Sequence, residues 1–177
     1  MKIPRRVRGY AYQTFYRLPG RVRRRLVRLI VPKYLVGAVN VITDADASEP
    51  GRLLLLRQPP GRSWGLPAGL LKHHEPPAVG AARELFEESG LRIHPADLRP
   101  GNPNAIIHPA GWIDTVFFGT APAGSAFTVD GGEVLEARWF PLDDLPRLTP
   151  NTELLLGVYG MGPAAGRDPA DYPDVDW

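Results

Sequence analysis

Glu84, Glu87 and Glu88 stand at i, i+3 and i+4, a spacing that sends three carboxylates from one face of a helix within a single turn. Like charges held that close repel by roughly a few tenths of a kcal/mol per neighbouring pair in water. Arg83 lies one turn before Glu87 and can hydrogen-bond to it, but one arginine cannot neutralise three acids. A hard divalent cation can. Carboxylate oxygens are the ligands Mg²⁺ prefers, and it completes its shell with waters and substrate phosphates. The spacing therefore predicts a metal site for work on phosphates. A bare E-x-x-E-E is more often an exposed acidic turn, so the residues around it decide.

Those residues read GLLKHHEPPAVGAARELFEESGL from Gly69 to Leu91. Gly69, Glu75, the Arg83-Glu84 pair, apolar Leu85, the Glu87-Glu88 pair, Gly90 and apolar Leu91 fall at every fixed position of the Nudix box, so the chain resembles the Nudix hydrolases. The flanks agree: Trp64-Gly65-Leu66-Pro67 and Glu136-Ala137-Arg138-Trp139-Phe140-Pro141-Leu142 are similar to the strands that precede the box and come late in that family. Ala68 departs from the second glycine that many members carry. The resemblance covers about Tyr34 to Tyr159. It implies a magnesium- or manganese-dependent enzyme cutting a phosphoanhydride (diphosphate) bond, with Glu84, Glu87, Glu88 and the Gly69 carbonyl holding Mg²⁺ or Mn²⁺. Arg83 fixes a glutamate by a charge-assisted hydrogen bond, and Glu75 braces the loop before the helix.

A polyanionic diphosphate repels hydroxide, so the metal neutralises oxygens, holds the attacking water and stabilises the leaving phosphate. Glu87 or Glu88 is placed to take the water's proton. Some relatives use an acid on an outside loop instead, and here Asp130, Glu133 and Glu136 offer themselves, each also readable as a turn or strand-edge acid. For substrate, Arg57 and Arg62 can meet phosphate and Trp64 can stack on a flat group, though core packing is the commoner fate of such a tryptophan. His73 and His74 read as exposed loop residues. Trp112 and Asp114 are weaker candidates on a strand facing the cleft at alternate positions, and His94 and His108 carry no assigned role.

These side chains need a scaffold. Leu35–Thr43 is β-branched and apolar, as a strand buried on both faces should be. Residues 44–51 form a polar turn, and 52–58 the partner strand. A short strand around Trp64-Gly65-Leu66 leads into the turn Pro67-Ala68-Gly69. A helix over 77–89 ends at Gly90, the residue expected just past a helix C-terminus. Further strands are expected at 105–108, 112–120 and 135–140, and a last short helix at 151–159. Mixed strands with flanking helices predict an α/β protein, and the resemblance implies a Nudix-type α/β/α sandwich with a mixed central sheet over 34–159. Residues 160–177, rich in Pro, Gly and Asp, form a loose tail.

Residues 1–33 form a different region. They carry eleven of the 21 Lys and Arg and none of the 19 acids, so the remainder, with ten against 19, carries about −9. Val22, Leu26, Leu29 and Ile30 fall at helical spacing with Arg23, Arg24, Arg25 and Arg28 between them, bounded by Pro19-Gly20 and Pro32. One basic amphipathic helix is expected, preceded by an aromatic segment (Tyr10, Tyr12, Phe15, Tyr16). Its apolar face either packs on the body or on a partner subunit in a homodimer, or meets an anionic membrane surface; nucleic acid is the poorer fit. With no cysteine, thiolate catalysis, disulfides and thiolate-held zinc are excluded. So is the chemistry of the similar isopentenyl diphosphate isomerases, which need a catalytic cysteine. No apolar run reaches the roughly 20 residues of a membrane span, and the basic start lacks a signal peptide's apolar core; a cytoplasmic enzyme is expected. The leading substrates are small-molecule diphosphates: ADP-ribose, a nucleotide sugar or a nucleoside triphosphate. The alternatives are a prenyl or other lipid-linked diphosphate, or a non-catalytic module that binds its ligand without cutting it.

Overall fold

The computed structural model describes residues 5–31, 33–45, 51–108, 111–122 and 124–166, with side chains from residue 9 onward. The expected turn at 44–51 and tail at 160–177 thus lie partly outside the described residues. The chain divides into two compact units, residues 1–33 and 34–177.

The first unit holds two helices, α1 (Arg5–Arg17) and α2 (Gly20–Ile30). The aromatic segment, expected only to precede a helix, is itself helical. Its tyrosines lean toward strand by propensity and so hide the helix in the pattern; Thr14 Oγ1 donates to the Tyr10 carbonyl at 2.9 Å, one turn back. Pro19, which disfavours helix at Leu18 before it, separates the two. Its own carbonyl starts α2 by accepting from the Val22 and Arg23 N–H groups at 2.9 and 3.1 Å.

The second unit is built on β1 (Leu35–Asp44), β2 (Arg52–Arg57), β3 (Trp64–Gly65), β4 (Ala68–Leu70), α3 (Pro77–Ser89), a 3-10 turn (Pro95–Asp97), β5 (Arg99–His108), β6 (Trp112–Ala121), β7 (Glu136–Pro141) and α4 (Pro150–Val158). The strands form one mixed seven-stranded sheet in the order β3-β2-β1-β6-β5, with β4 paired to β1 and β7 to β2. β1 and β6 run parallel in register from Leu35↔Trp112 to Asp44↔Ala121; the remaining pairs are antiparallel. Two elements differ from the sequence reading. The turn Ala68-Gly69 is a short strand, because it pairs with Ala38 and Val39 of β1. β5 begins at Arg99 rather than 105; Pro100 and Pro103 mask it, and it tolerates them as an edge strand with an irregular register between Pro100 and Ala105.

Strand periodicity sorts the core into two layers. Ala38, Ile42, Leu54, Leu56 and Phe117 join Ala81 and Leu85 of α3. Their neighbours Val39, Val41, Leu53, Leu55 and Val116 point the other way and join Leu155 and Leu156 of α4. The sheet is covered on both faces, an α/β/α sandwich. Asn40 shares its parity with Ala38 and Ile42, is fully buried, and donates from Nδ2 to the Ala81 carbonyl at 3.0 Å, tying β1 to α3. Gly90 closes α3 in the left-handed conformation (φ 74°), its N–H bonded to the Phe86 carbonyl.

Candidate active site

Arg83, on the second turn of α3, organises the loop that leads into the helix. Its Nε and Nη2 each lie 2.8 Å from the Glu75 carboxylate, a two-pronged pair. Nη1 donates to Glu84 at 2.6 Å and Glu87 at 2.8 Å, and Nη2 also reaches the Leu70 carbonyl at 3.1 Å. The arginine therefore fastens β4, the loop and the helix together. The Arg83 hydrogen bonds, aided by the Lys72 N–H, hold the Glu75 carboxyl down to about 2 against the effect of burial. Glu75 in turn pushes the Arg83 guanidinium further above its ordinary range.

Glu88 lies on the buried side of the same turn. Its carboxylate accepts from the Ala68 N–H at 2.8 Å and from Gln58 Nε2 at 3.0 Å. Burial pushes its pKa up to about 8, opposed by the Ala68 hydrogen bond and reinforced by the charges of Glu84, Glu133 and Glu87. Glu87 is half exposed and also stands 3.6 Å from Lys72 Nζ. Glu84 lies under β4: a Cβ at Gly69 would come 2.0 Å from its carboxyl carbon. The Glu84 carboxyl thus fills the space a side chain at 69 would take, and glycine suits this position by that close approach rather than by its φ.

The donors suit a hard dication: three carboxylates on one turn and a backbone carbonyl in the strand packed against them. The crowding of Glu88 by three other carboxylates is the kind of electrostatic cost a cation removes. Among the described residues, however, no three acidic or imidazole side chains converge on a single point. Arg83 bonds both Glu84 and Glu87, while Glu88 faces Ala68 and Gln58.

The remaining candidates separate. Asp130 binds its own loop, accepting from the N–H groups of Gly132, Val134 and Glu133 at 3.0, 3.2 and 3.4 Å, and those bonds lower its pKa. Glu136 pairs with Arg57 at 2.6 Å and with Arg138. Glu133, exposed, is the acid of this loop whose charge reaches Glu88. Arg57 is thus occupied by Glu136 and sits over the Trp64 ring, which packs edge-on against Phe140 at 4.7 Å in the α4-side core. Arg62 is exposed, as are His73 and His74, whose rings touch each other. His94 caps the 3-10 turn, accepting from the Ala96 N–H.

A cavity of about 460 Å³ opens on the α4 side, lined among others by Gly37, Gln58, Gly69, Trp112, Asp114 and Asn151. Arg57, Arg62 and Trp64 do not line it. Its walls are mainly apolar, with a few polar groups among them. Asp114 Oδ2 stands 2.9 Å from Nε2 of buried His108, and the His108 ring stacks on Trp112 at 4.5 Å. Asn151 Oδ1 is buried without a hydrogen-bond partner. Gln58 and Gly69 belong to both regions, so the cavity adjoins the glutamates. Sequence reasoning missed Gln58, Asn40 and Asn151. Only Asn40 left a signal: it is the one amide inside an otherwise apolar strand.

A family model described as "NUDIX domain" matches residues 33–156. A "MutT-like protein" of Streptomyces ambofaciens is 37% identical over 67 residues, covering 38% of this chain and 41% of that protein. A "CMP-5'-(N-acetyl-N-hydroxy-3-aminopropyl)phosphonate hydrolase" of Streptomyces rubellomurinus is 34% identical over 115 residues, 57% of this chain and 52% of that one. The chain thus spans about half or less of the length of these curated relatives. The crystal structure of a MutT NUDIX hydrolase from Burkholderia pseudomallei is similar at a TM-score of 0.54 and 30% identity, over 69% of this chain and 95% of that chain.

Proposed function

The chain belongs to the NUDIX domain family, and on that premise we propose that it is a divalent-metal-dependent hydrolase that cuts a phosphoanhydride bond in a nucleoside diphosphate linked to a second group. The observation that carries this reading is the buried, like-charge-crowded Glu88 beside Glu84 and Glu87, hydrogen-bonded to Gln58 and Ala68, which line the cavity. Glu84, Glu87, Glu88 and the Gly69 carbonyl would hold Mg²⁺ or Mn²⁺, once Glu84 and Glu87 turn from Arg83. The bound ion would offset the diphosphate's charge and lower the pKa of its water.

The chain's own residues do the rest. Arg83 and Glu75 keep β4 and α3 at a fixed separation, so the carboxylates are presented together. Glu88, anchored by Ala68 and Gln58, takes the proton of the attacking water; the new P–O bond forms as the bridging P–O bond breaks and the leaving phosphate departs. Glu133 is the loop acid placed to assist. The cavity receives the nucleoside: about 460 Å³ suits a base with its sugar. Trp112 offers a face for stacking, and Asp114 offers an acceptor for a ring amino group.

Incubation with Mg²⁺ and a panel of ADP-ribose, nucleotide sugars, nucleoside triphosphates and prenyl diphosphates, with phosphate release read after phosphatase coupling, tests this. At least one nucleotide should turn over. Turnover of prenyl diphosphates alone would move the reading to lipid-linked substrates. No turnover by folded, metal-loaded protein would leave a binding module.

A further inference from the structure

We propose that helix α2 lies flat on an anionic lipid surface, its arginines facing lipid phosphates and its apolar side sunk among the acyl chains. At 100° per residue Arg21, Arg24, Arg25 and Arg28 occupy one side of α2, while Val22, Leu26, Leu29 and Ile30 occupy the other. The remaining arginine, Arg23, falls on the apolar side, and its guanidinium sits 5.6 Å over the ring of Tyr16 from α1. No residue of α2 is buried. Leu29 and Ile30 are 80% and 81% exposed, and Val31 beyond them is exposed too. Three neighbouring large aliphatics facing water mark a surface made to be covered.

Charge selects the cover. Residues 1–33 hold eleven Lys and Arg and no acid, so two copies of the arm brought face to face would repel without a carboxylate to pair. A nucleic acid would satisfy the arginines but has nowhere to put Leu26, Leu29 and Ile30. A bilayer with anionic headgroups satisfies both sides of the helix. The exposed tyrosines of α1, Tyr10, Tyr12 and Tyr16, have the half-apolar rings that settle at headgroup level. With eleven residues, α2 is about 16 Å long, and no described helix is long and apolar enough to cross a membrane. The helix lies on the surface.

Co-sedimentation of the full chain with phosphatidylcholine vesicles, and with vesicles of equal parts phosphatidylcholine and phosphatidylglycerol, tests the proposal. The protein should pellet with the anionic vesicles alone and be released by salt. Arg24→Gln/Arg25→Gln/Arg28→Gln should weaken partitioning about 100-fold, at roughly fivefold per charge. Leu29→Glu/Ile30→Glu should abolish it without changing the mass seen by light scattering. The two variants alter opposite sides of α2, and circular dichroism and thermal melting check that each is folded. Equal pelleting with neutral vesicles, no pelleting with either, or retention by both variants overturns the proposal. So does a dimer that Leu29→Glu/Ile30→Glu splits, or tight RNA binding indifferent to that pair with no vesicle binding.

Discussion

The two faces of the sheet solve different problems. On the α3 face, polar groups are crowded and mutually committed: one arginine ties three glutamates, and a fourth is buried against a backbone N–H and an amide. On the α4 face, the cavity is mainly apolar, and its polar groups are few. The α3 face concentrates charge that can act on phosphorus, whereas the α4 face provides room and a few points of recognition. β4 joins them, since Ala68 and Gly69 touch the glutamates and line the cavity. If this division holds, substitutions on the α3 face change kcat, and those on the α4 face change KM.

The largest effect is expected at Glu88. Glu88→Gln should lower kcat by about 10²–10⁴-fold, the usual worth of a positioned base. It should also remove a pH dependence of stability in metal-free protein. The folded Glu88 keeps its proton up to about 8, against an ordinary value of 4.5. Between those values the folded state binds more protons than the unfolded one, so stability falls as pH rises through that window and levels off above it. Denaturant titrations across the window should show this slope in the parent and not in Glu88→Gln. Glu75 has the opposite sign: its contribution is complete above 4.5 and lost as pH falls toward about 2. A parent whose stability is flat from 4.5 to 8 would mean that Glu88 is not buried as described.

Gly69→Ala tests the junction. The added Cβ meets the far end of the Glu84 side chain, which can swing aside, so folding should survive while the carboxylate leaves its place. Displacement on the order of 1 Å costs about 10²-fold in rate, with Tm little changed. Activity equal to the parent's would place Glu84 outside the reacting centre.

Asp114→Ala should act on the other face. Losing one acceptor for a ring amino group is worth about 1–3 kcal/mol, which raises KM about 5- to 150-fold and leaves kcat near the parent value. An equal fall in kcat with KM unchanged would erase the distinction between the faces.

The two faces also differ in how legible they are in sequence. Glu84, Glu87, Glu88, Arg83 and Glu75 lie within 14 consecutive residues; helical spacing places the first four together, Glu75 joins them from the loop just before, and Gly90 marks where the helix stops. The cavity draws on β1, β3, β4, β6 and α4, and no local pattern brings Gly37 to Asp114 or Asn151 to Gly69. Strand periodicity turns Trp112 and Asp114 to the cleft side, but gives no sign that His108 stands beside Asp114. Arg57 reads as a free phosphate contact because its partner Glu136 is 79 residues away. The strands themselves were mostly clear. In sequence, prolines hide the start of β5 and β4 reads as a turn, since both depend on pairing with distant neighbours.

Asn40 gives the smallest effect and the sharpest check, because it lies on the α3 face yet touches no reacting group. Its Nδ2 bond to the Ala81 carbonyl is a buried link between β1 and the helix that carries the glutamates. Asn40→Ala deletes that bond and leaves a small void, for a loss of about 1–3 kcal/mol and a fall in Tm of about 2–4 °C per kcal/mol in a protein of this size. Arg83 and Glu75 still fasten the start of α3, so kcat should stay within about twofold of the parent, since the lost bond touches no reacting group and removes no transition-state interaction. A rate loss approaching that of Glu88→Gln, at matched stability, would show that the helix needs β1 to hold its carboxylates in line, and that the α3 face works as one unit with the sheet beneath it.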